Sequence, residues 1–192
     1  AKTLVAAFKR LSRFLVWRFW ACAFRQRCPP RERAATAGRV LGVRHVPVVK
    51  GQALPAYDPR SVKGIGVTYA TSTMGADHTA GYAVAPNVLG VGGTVDPLSP
   101  NGQVELSRQL QIATAALDST GLCLFEAFAM LDDPTALEGI CEAIAGLTGR
   151  EFTAEDYTEI GRKTLTRERK FNLATGLEGH TDRLPDFFKK EK

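Results

Sequence analysis

Cysteine, histidine, methionine and tryptophan are all scarce in this chain of 192 residues: four Cys, three His, two Met and two Trp. The cysteines (Cys22, Cys28, Cys123, Cys141) are irregularly spaced, which speaks against a disulfide framework of the secreted type. They fit a reducing compartment, so a cytoplasmic location is expected. A chain of this length buries roughly 70% of the surface its unfolded form exposes, and needs no staples to make a core. Missing too are a phosphate-binding glycine loop ending in Lys-Ser or Lys-Thr, a Gly-x-Ser-x-Gly elbow and a His-Glu-x-x-His helix. Gly64-Ile65-Gly66 lacks the third glycine and the preceding strand of a dinucleotide site. No segment sustains a period-two alternation of apolar and polar residues, so the fold class read from the residues is mainly α.

One sign of charge is nearly absent from the start of the chain. Residues 1–35 carry nine Lys or Arg against the single acid Glu32, a net of +8, while the remainder holds 16 basic and 19 acidic residues, a net of −3. The overall charge of +5 therefore describes a terminal segment, and a nucleic-acid partner is not expected for the body of the protein. Both tryptophans fall in that segment, within Phe14-Leu15-Val16-Trp17-Arg18-Phe19-Trp20. Its uncharged stretches are far shorter than the roughly 18–20 apolar residues of a membrane span, and no membrane partner is expected. Pro29-Pro30 stops any helix there. Residues 1–35 are read as one unit, and residues 36–192 as a helical region.

From about Thr36 to Pro100 glycine and proline are dense, in Leu54-Pro55-Ala56-Tyr57-Asp58-Pro59-Arg60, Gly64-Ile65-Gly66 and Gly75-Ala76-Asp77-His78-Thr79-Ala80-Gly81-Tyr82. Such a stretch reads either as backbone that closely approaches a ligand or as a set of turns. Helical spacing begins after Asn101. Val104, Leu106, Leu110, Ile112, Ala113 and Leu117 recur mostly three or four residues apart, up to an interruption expected at Asp118–Gly121. A second apolar segment, Leu122–Leu131, follows. Asp133 is an N-cap with Pro134 at the first helical position, ahead of a face made by Leu137, Ile140, Cys141, Ile144 and Leu147. Thr153 with Asp156 forms a capping-box pattern that opens a further helix with a stripe of Tyr157, Ile160, Thr164, Leu165, Glu168 and Phe171, stopping near Gly176.

Two places hold residues suited to chemistry. In Asp118-Ser119-Thr120-Gly121-Leu122-Cys123, a tight break between helices would turn backbone N–H groups, one carboxylate and one thiol toward one spot. The carboxylate can accept hydrogen bonds from the N–H groups of a heterocycle, and the thiolate can ligate a metal or an iron–sulfur cluster. The same residues also read as a helix-end cap and a small buried hydrophobe. No second Cys lies at ligand spacing. His78, next to Asp77 in the glycine-rich stretch, has an imidazole that can donate or accept a proton, although a His in a turn is more often a hydrogen-bonded structural residue. Tyr57, Asp58, Arg60 and Tyr69 could fix an anionic or carbonyl ligand, and Asp58-Pro59 also makes a turn.

Taken together, Leu54–Arg60, Gly66-Val67-Thr68-Tyr69-Ala70-Thr71-Ser72, Gly75-Ala76-Asp77-His78 and Asp118-Ser119-Thr120-Gly121-Leu122-Cys123 resemble, in order and spacing, the C-terminal part of the tungsten-containing aldehyde ferredoxin oxidoreductase family. Arg169-Lys170-Phe171-Asn172 and Asp182-Arg183-Leu184-Pro185-Asp186-Phe187-Phe188 are similar to that family's closing segment. The resemblance covers about residues 36–192 and leaves 1–35 outside. It implies helical second and third domains, and oxidation of aldehydes to carboxylic acids at a tungsten or molybdenum ion held by two pterins, with electrons passing through a 4Fe-4S cluster to ferredoxin. It also implies that Asp118, Ser119, Thr120, Gly121 and Leu122 contact a pterin, that Cys123 supplies the last cluster ligand, and that His78 is the catalytic group near the metal. The family's preceding β-rich domain, its other three cluster cysteines and its first Asp-x-x-Gly-Leu motif are missing, so the chain is expected to be a C-terminal fragment or subunit. A separate N-terminal polypeptide would supply the rest. The alternatives are a helical binding or scaffold module and an inactive remnant without redox chemistry.

Overall fold

The computed structural model describes residues 33–177 and 179–190. Expectations for residues 1–32, the bulk of the basic segment, lie outside the described residues.

The chain begins with α1 (Arg33–Leu41), then a minimal antiparallel hairpin of β1 (Val48–Val49) and β2 (Gln52–Ala53), with Val48 opposite Ala53 and Val49 opposite Gln52. Next come α2 (Lys63–Thr71), one π-helical turn over Ala85–Leu89 and the long α3 (Gln103–Thr120). The remainder is α4 (Glu126–Asp132), α5 (Pro134–Thr148), α6 (Ala154–Ala174), a 3₁₀ turn at Gly179–Thr181 and α7 (Phe187–Lys190). The mainly helical class holds. So do the caps: Asp133 accepts from the Thr135 N–H at 2.9 Å, and Thr153 and Asp156 exchange side-chain-to-backbone bonds as a full capping box. Gly149 and Gly176, with φ of 67° and 86°, supply the left-handed conformation at the ends of α5 and α6.

Two corrections follow. The glycine-rich stretch is not turns alone, because α2 runs through Gly64, Gly66, Val67 and Thr68, all weak helix formers. Packing overrides propensity here. A Cβ on Gly64 would come 2.5 Å from both Asn87 Oδ1 and Gln103 Oε1, so the glycine is what lets α2 enter the core. The interruption expected at Asp118–Gly121 is also narrower than the sequence suggests. Asp118, Ser119 and Thr120 are helical, Ser119 and Thr120 return their hydroxyls to the Ala115 and Leu117 carbonyls, and only Gly121 (φ 78°) ends α3.

Helix α3 joins two apolar clusters. Val49, Val62, Ile65, Tyr69, Ala76, Ala83, Val84 and Leu110 form one, around α2 and the start of α3. Ala116, Leu117, Cys141 and Tyr157 form the other, where α3 meets α5 and α6. Between α2 and α3 runs a buried polar ladder: Thr68 Oγ1 and Ser107 Oγ lie 2.8 Å apart, and Gln111 donates to Ser107 and to Thr71. Helix α6 lies against α3 closely enough that a Cβ on Gly161 would strike the Ile112 carbonyl. Among the described residues no helix is long and apolar enough to cross a membrane.

Candidate functional site

Residues 72–81 form a strap between α2 and the π-helical turn, and neighbouring elements hold it from several sides. Asn172 of α6 donates to the Thr73 carbonyl at 2.8 Å, the Thr73 hydroxyl donates to Glu168 at 2.6 Å, and the Thr68 hydroxyl of α2 reaches the Gly81 carbonyl at 3.1 Å. Within the strap the Asp77 carboxylate accepts from the Thr79 backbone N–H and hydroxyl, a local turn that fixes its orientation.

His78 follows directly. Its ring lies 5.5 Å from that of Tyr57 and 5.8 Å from that of Tyr82, and the two tyrosine hydroxyls share a 2.7 Å hydrogen bond. Burial, together with the bond it shares with Tyr57, pushes the Tyr82 phenol up to about 12. Nδ1 of His78 is buried with no hydrogen-bond partner among the described residues, and Asp77 Oδ1 at 3.9 Å is too far to supply one. The side chain is still about one-third exposed, at 34%. The imidazole thus lies between two tyrosine rings, one tilted and one edge-on, with its Nδ1 unpartnered among the described residues.

Asp118 meets the same strap from α3. A cleft of about 240 Å³ is lined by Asp77, Thr79, Gln111, Asp118, Ser119 and Glu168, among others. Partial burial raises the Asp118 carboxyl above the usual carboxylate range, and the nearby Asp77 and Glu168 add to the effect. Three segments, the strap, α3 and α6, thereby supply carboxylates to one cavity that no lysine or arginine lines. Such a cleft favours a ligand rich in N–H donors.

The rest of the second motif differs from expectation. The Gly121 N–H is spent on the Asp118 carbonyl and the Leu122 N–H on the Thr120 hydroxyl, so these two donors do not turn toward a ligand; a helix C-terminus presents carbonyls instead. Gly121, Leu122 and Cys123 are exposed. An exposed Cys123 is not the buried hydrophobe of the alternative reading, whereas Cys141 is buried on the α5 face as expected. The described residues hold no group of three His, Cys, Asp or Glu placed to bind a metal ion. Asp118 therefore fits a hydrogen-bonding heterocycle, while Cys123 offers one accessible thiol and no completed cluster site.

Asp77, Tyr82, Glu168 and Phe128 were not assigned to the site from sequence. Glu168 carried a signal, as a charge on an otherwise mostly apolar stripe of α6. Tyr82 and Phe128, edge-on at 5.9 Å, also line a mainly apolar cavity of about 360 Å³ between α3, α4, α5 and α6.

Residues 32–192 match the family model described as aldehyde ferredoxin oxidoreductase, domains 2 and 3. Among curated relatives, the tungsten-containing aldehyde ferredoxin oxidoreductase of Pyrococcus furiosus is 37% identical over 145 residues, which is 74% of this chain and 23% of the relative. The enzyme of the same name from Pyrococcus horikoshii is 36% identical over 158 residues, 81% of this chain and 25% of the relative. That of Thermococcus kodakarensis is 36% identical over 145 residues, 74% of this chain and 23% of the relative. The chain spans about a quarter of the length of these relatives.

Proposed function

We propose, from the premise that this chain belongs to the aldehyde ferredoxin oxidoreductase family as its domains 2 and 3, that it forms the substrate-side and pterin-side wall of an oxidoreductase converting aldehydes to carboxylic acids. The observation that carries this reading is the shared cleft, in which Asp118 of one motif meets Asp77, the neighbour of His78, of the other.

When bound, a tungsten or molybdenum bis-pterin would supply the two-electron oxidation, and a 4Fe-4S cluster the outlet to ferredoxin. Asp118, with Ser119 beside it in the cleft, would accept hydrogen bonds from a pterin ring; Thr120, Gly121 and Leu122 set the helix end that presents it. Cys123 would give its thiolate to the cluster, with the remaining ligands coming from outside the described residues. His78 would hold or move a proton on its partly exposed imidazole beside the substrate carbonyl, while the Tyr57 and Tyr82 rings flank it. The hydrocarbon part of the aldehyde would lie in the apolar cavity that Tyr82 and Phe128 line.

The test is His78→Gln in the enzyme assembled with the cofactor-bearing portion of the family fold. Loss of general acid–base assistance should lower kcat by about 10²-fold or more, with tungsten and pterin content unchanged. An unaltered kcat would remove His78 from the chemistry.

A further inference from the structure

The hairpin turn carries a residue that the turn itself disfavours. Lys50 and Gly51, at φ 48° and 81°, form the two-residue connection between β1 and β2, and Lys50 is the one non-glycine among the described residues with positive φ. Turns of this shape favour Asn, Asp or Gly at both positions, since a Cβ there costs about 1 kcal/mol or more. A lysine in that place calls for another reason.

The reason is where its ammonium goes. The Lys50 side chain is 1% exposed, and Nζ meets three oxygens: Asp182 Oδ1 at 2.7 Å, the Ser72 carbonyl at 2.8 Å and the Ala70 carbonyl at 2.9 Å. The two carbonyls accept hydrogen bonds from the ammonium, and the carboxylate supplies its charge partner. The two carbonyls belong to the C-terminal end of α2, where a cation is favoured. Asp182, in the closing segment of the chain, also takes Arg169 of α6 at 2.6 Å. Burial would raise its carboxyl, but the hydrogen bonds from Arg169 and Lys50 outweigh that and hold it below the usual carboxylate range.

From Ser72 the chain runs into the strap, and the hairpin touches it twice more. Gly75, at φ 106°, lies so close to the Val49 carbonyl that a Cβ could not be placed, and Gln52 donates to the Ala76 carbonyl at 3.2 Å. Asp77 and His78 come next. Past β2, the same chain delivers Tyr57 to the His78 ring.

We infer that Lys50, charge-paired to Asp182, is a positioning residue for His78: it ties the hairpin to the end of α2 and so fixes the strap from which the imidazole projects. This rests on the reading of His78 given above, yet it concerns the geometry of the ring and is measurable without turnover.

The experiment compares Lys50→Asn and Asp182→Asn with the parent 192-residue chain by NMR, following the His78 ring resonances through a pH titration and the amide exchange of residues 73–78. Asparagine suits the turn better than lysine, so a lysine that served the turn alone would be replaced without harm. The inference expects both variants to melt cooperatively and to keep α5 and α6 protected, while strap amides exchange at least about tenfold faster and the His78 ring resonances shift. Unchanged His78 resonances and strap exchange in both variants would overturn it. So would loss of the cooperative melt in both, which would make the charge pair a determinant of the whole fold. Failure of His78→Gln to affect kcat in the assembled enzyme would leave this geometry standing and remove only the catalytic reading.

Discussion

Asp118 carries a charge that its surroundings in the fold disfavour. Partial burial and the neighbouring Asp77 and Glu168 raise its folded pKa above the unfolded value, so the ionised form is the disfavoured one. Its contribution is most favourable below the ordinary carboxylate range and is lost as pH rises through the raised value. We therefore expect Asp118→Asn to raise the melting temperature of the isolated chain near neutral pH, and the difference to close as the pH is lowered and the parent carboxyl protonates. Equal melting temperatures at every pH would contradict this assignment of charge. Asp118 thus shares its cleft with two further carboxylates, Asp77 and Glu168, and no basic side chain lines that cleft to offset them.

At the scale of elements, the helices after residue 101 were readable because their signals are local. The Asp133 cap, the Thr153–Asp156 box and the terminal glycines act within a few residues of themselves. Helix α2 was not readable, because what stabilises it is remote: the Ser107 and Gln111 side chains of α3, and the fit of Gly64 against Asn87 and Gln103. The site was half legible for the same reason. His78, Asp118 and Cys123 carry their chemistry in their own identity, whereas Glu168 and Tyr82 join the site only through the packing of α6 and the π-helical turn. The α3–α6 contact can be tested at Gly161. A methyl there meets a backbone carbonyl that cannot swing aside, so Gly161→Ala should destabilise the chain by roughly 1–3 kcal/mol in denaturant unfolding. A change close to zero would mean that the two helices are not so closely apposed.

For the whole molecule, the notable feature is apolar surface. Phe125, Phe171 and Leu147 are 77%, 68% and 88% exposed, and Leu147 belongs to the very face of α5 whose periodicity marks it for burial. A chain that spans about a quarter of its relatives and leaves such residues uncovered should bind an apolar dye in isolation. Addition of the cofactor-bearing portion should suppress the signal, and an isolated chain that bound no dye would show that these side chains are covered.

The central claim is that the cleft joining Asp118 to the His78 strap holds the pterin of an assembled oxidoreductase. Its most direct test is the metal and pterin content of the anaerobically purified assembly, with this chain either unaltered or carrying Asp118→Ala. The account predicts tungsten or molybdenum together with pterin in the first and marked loss of both in the second. Equal cofactor content in the two preparations would contradict it.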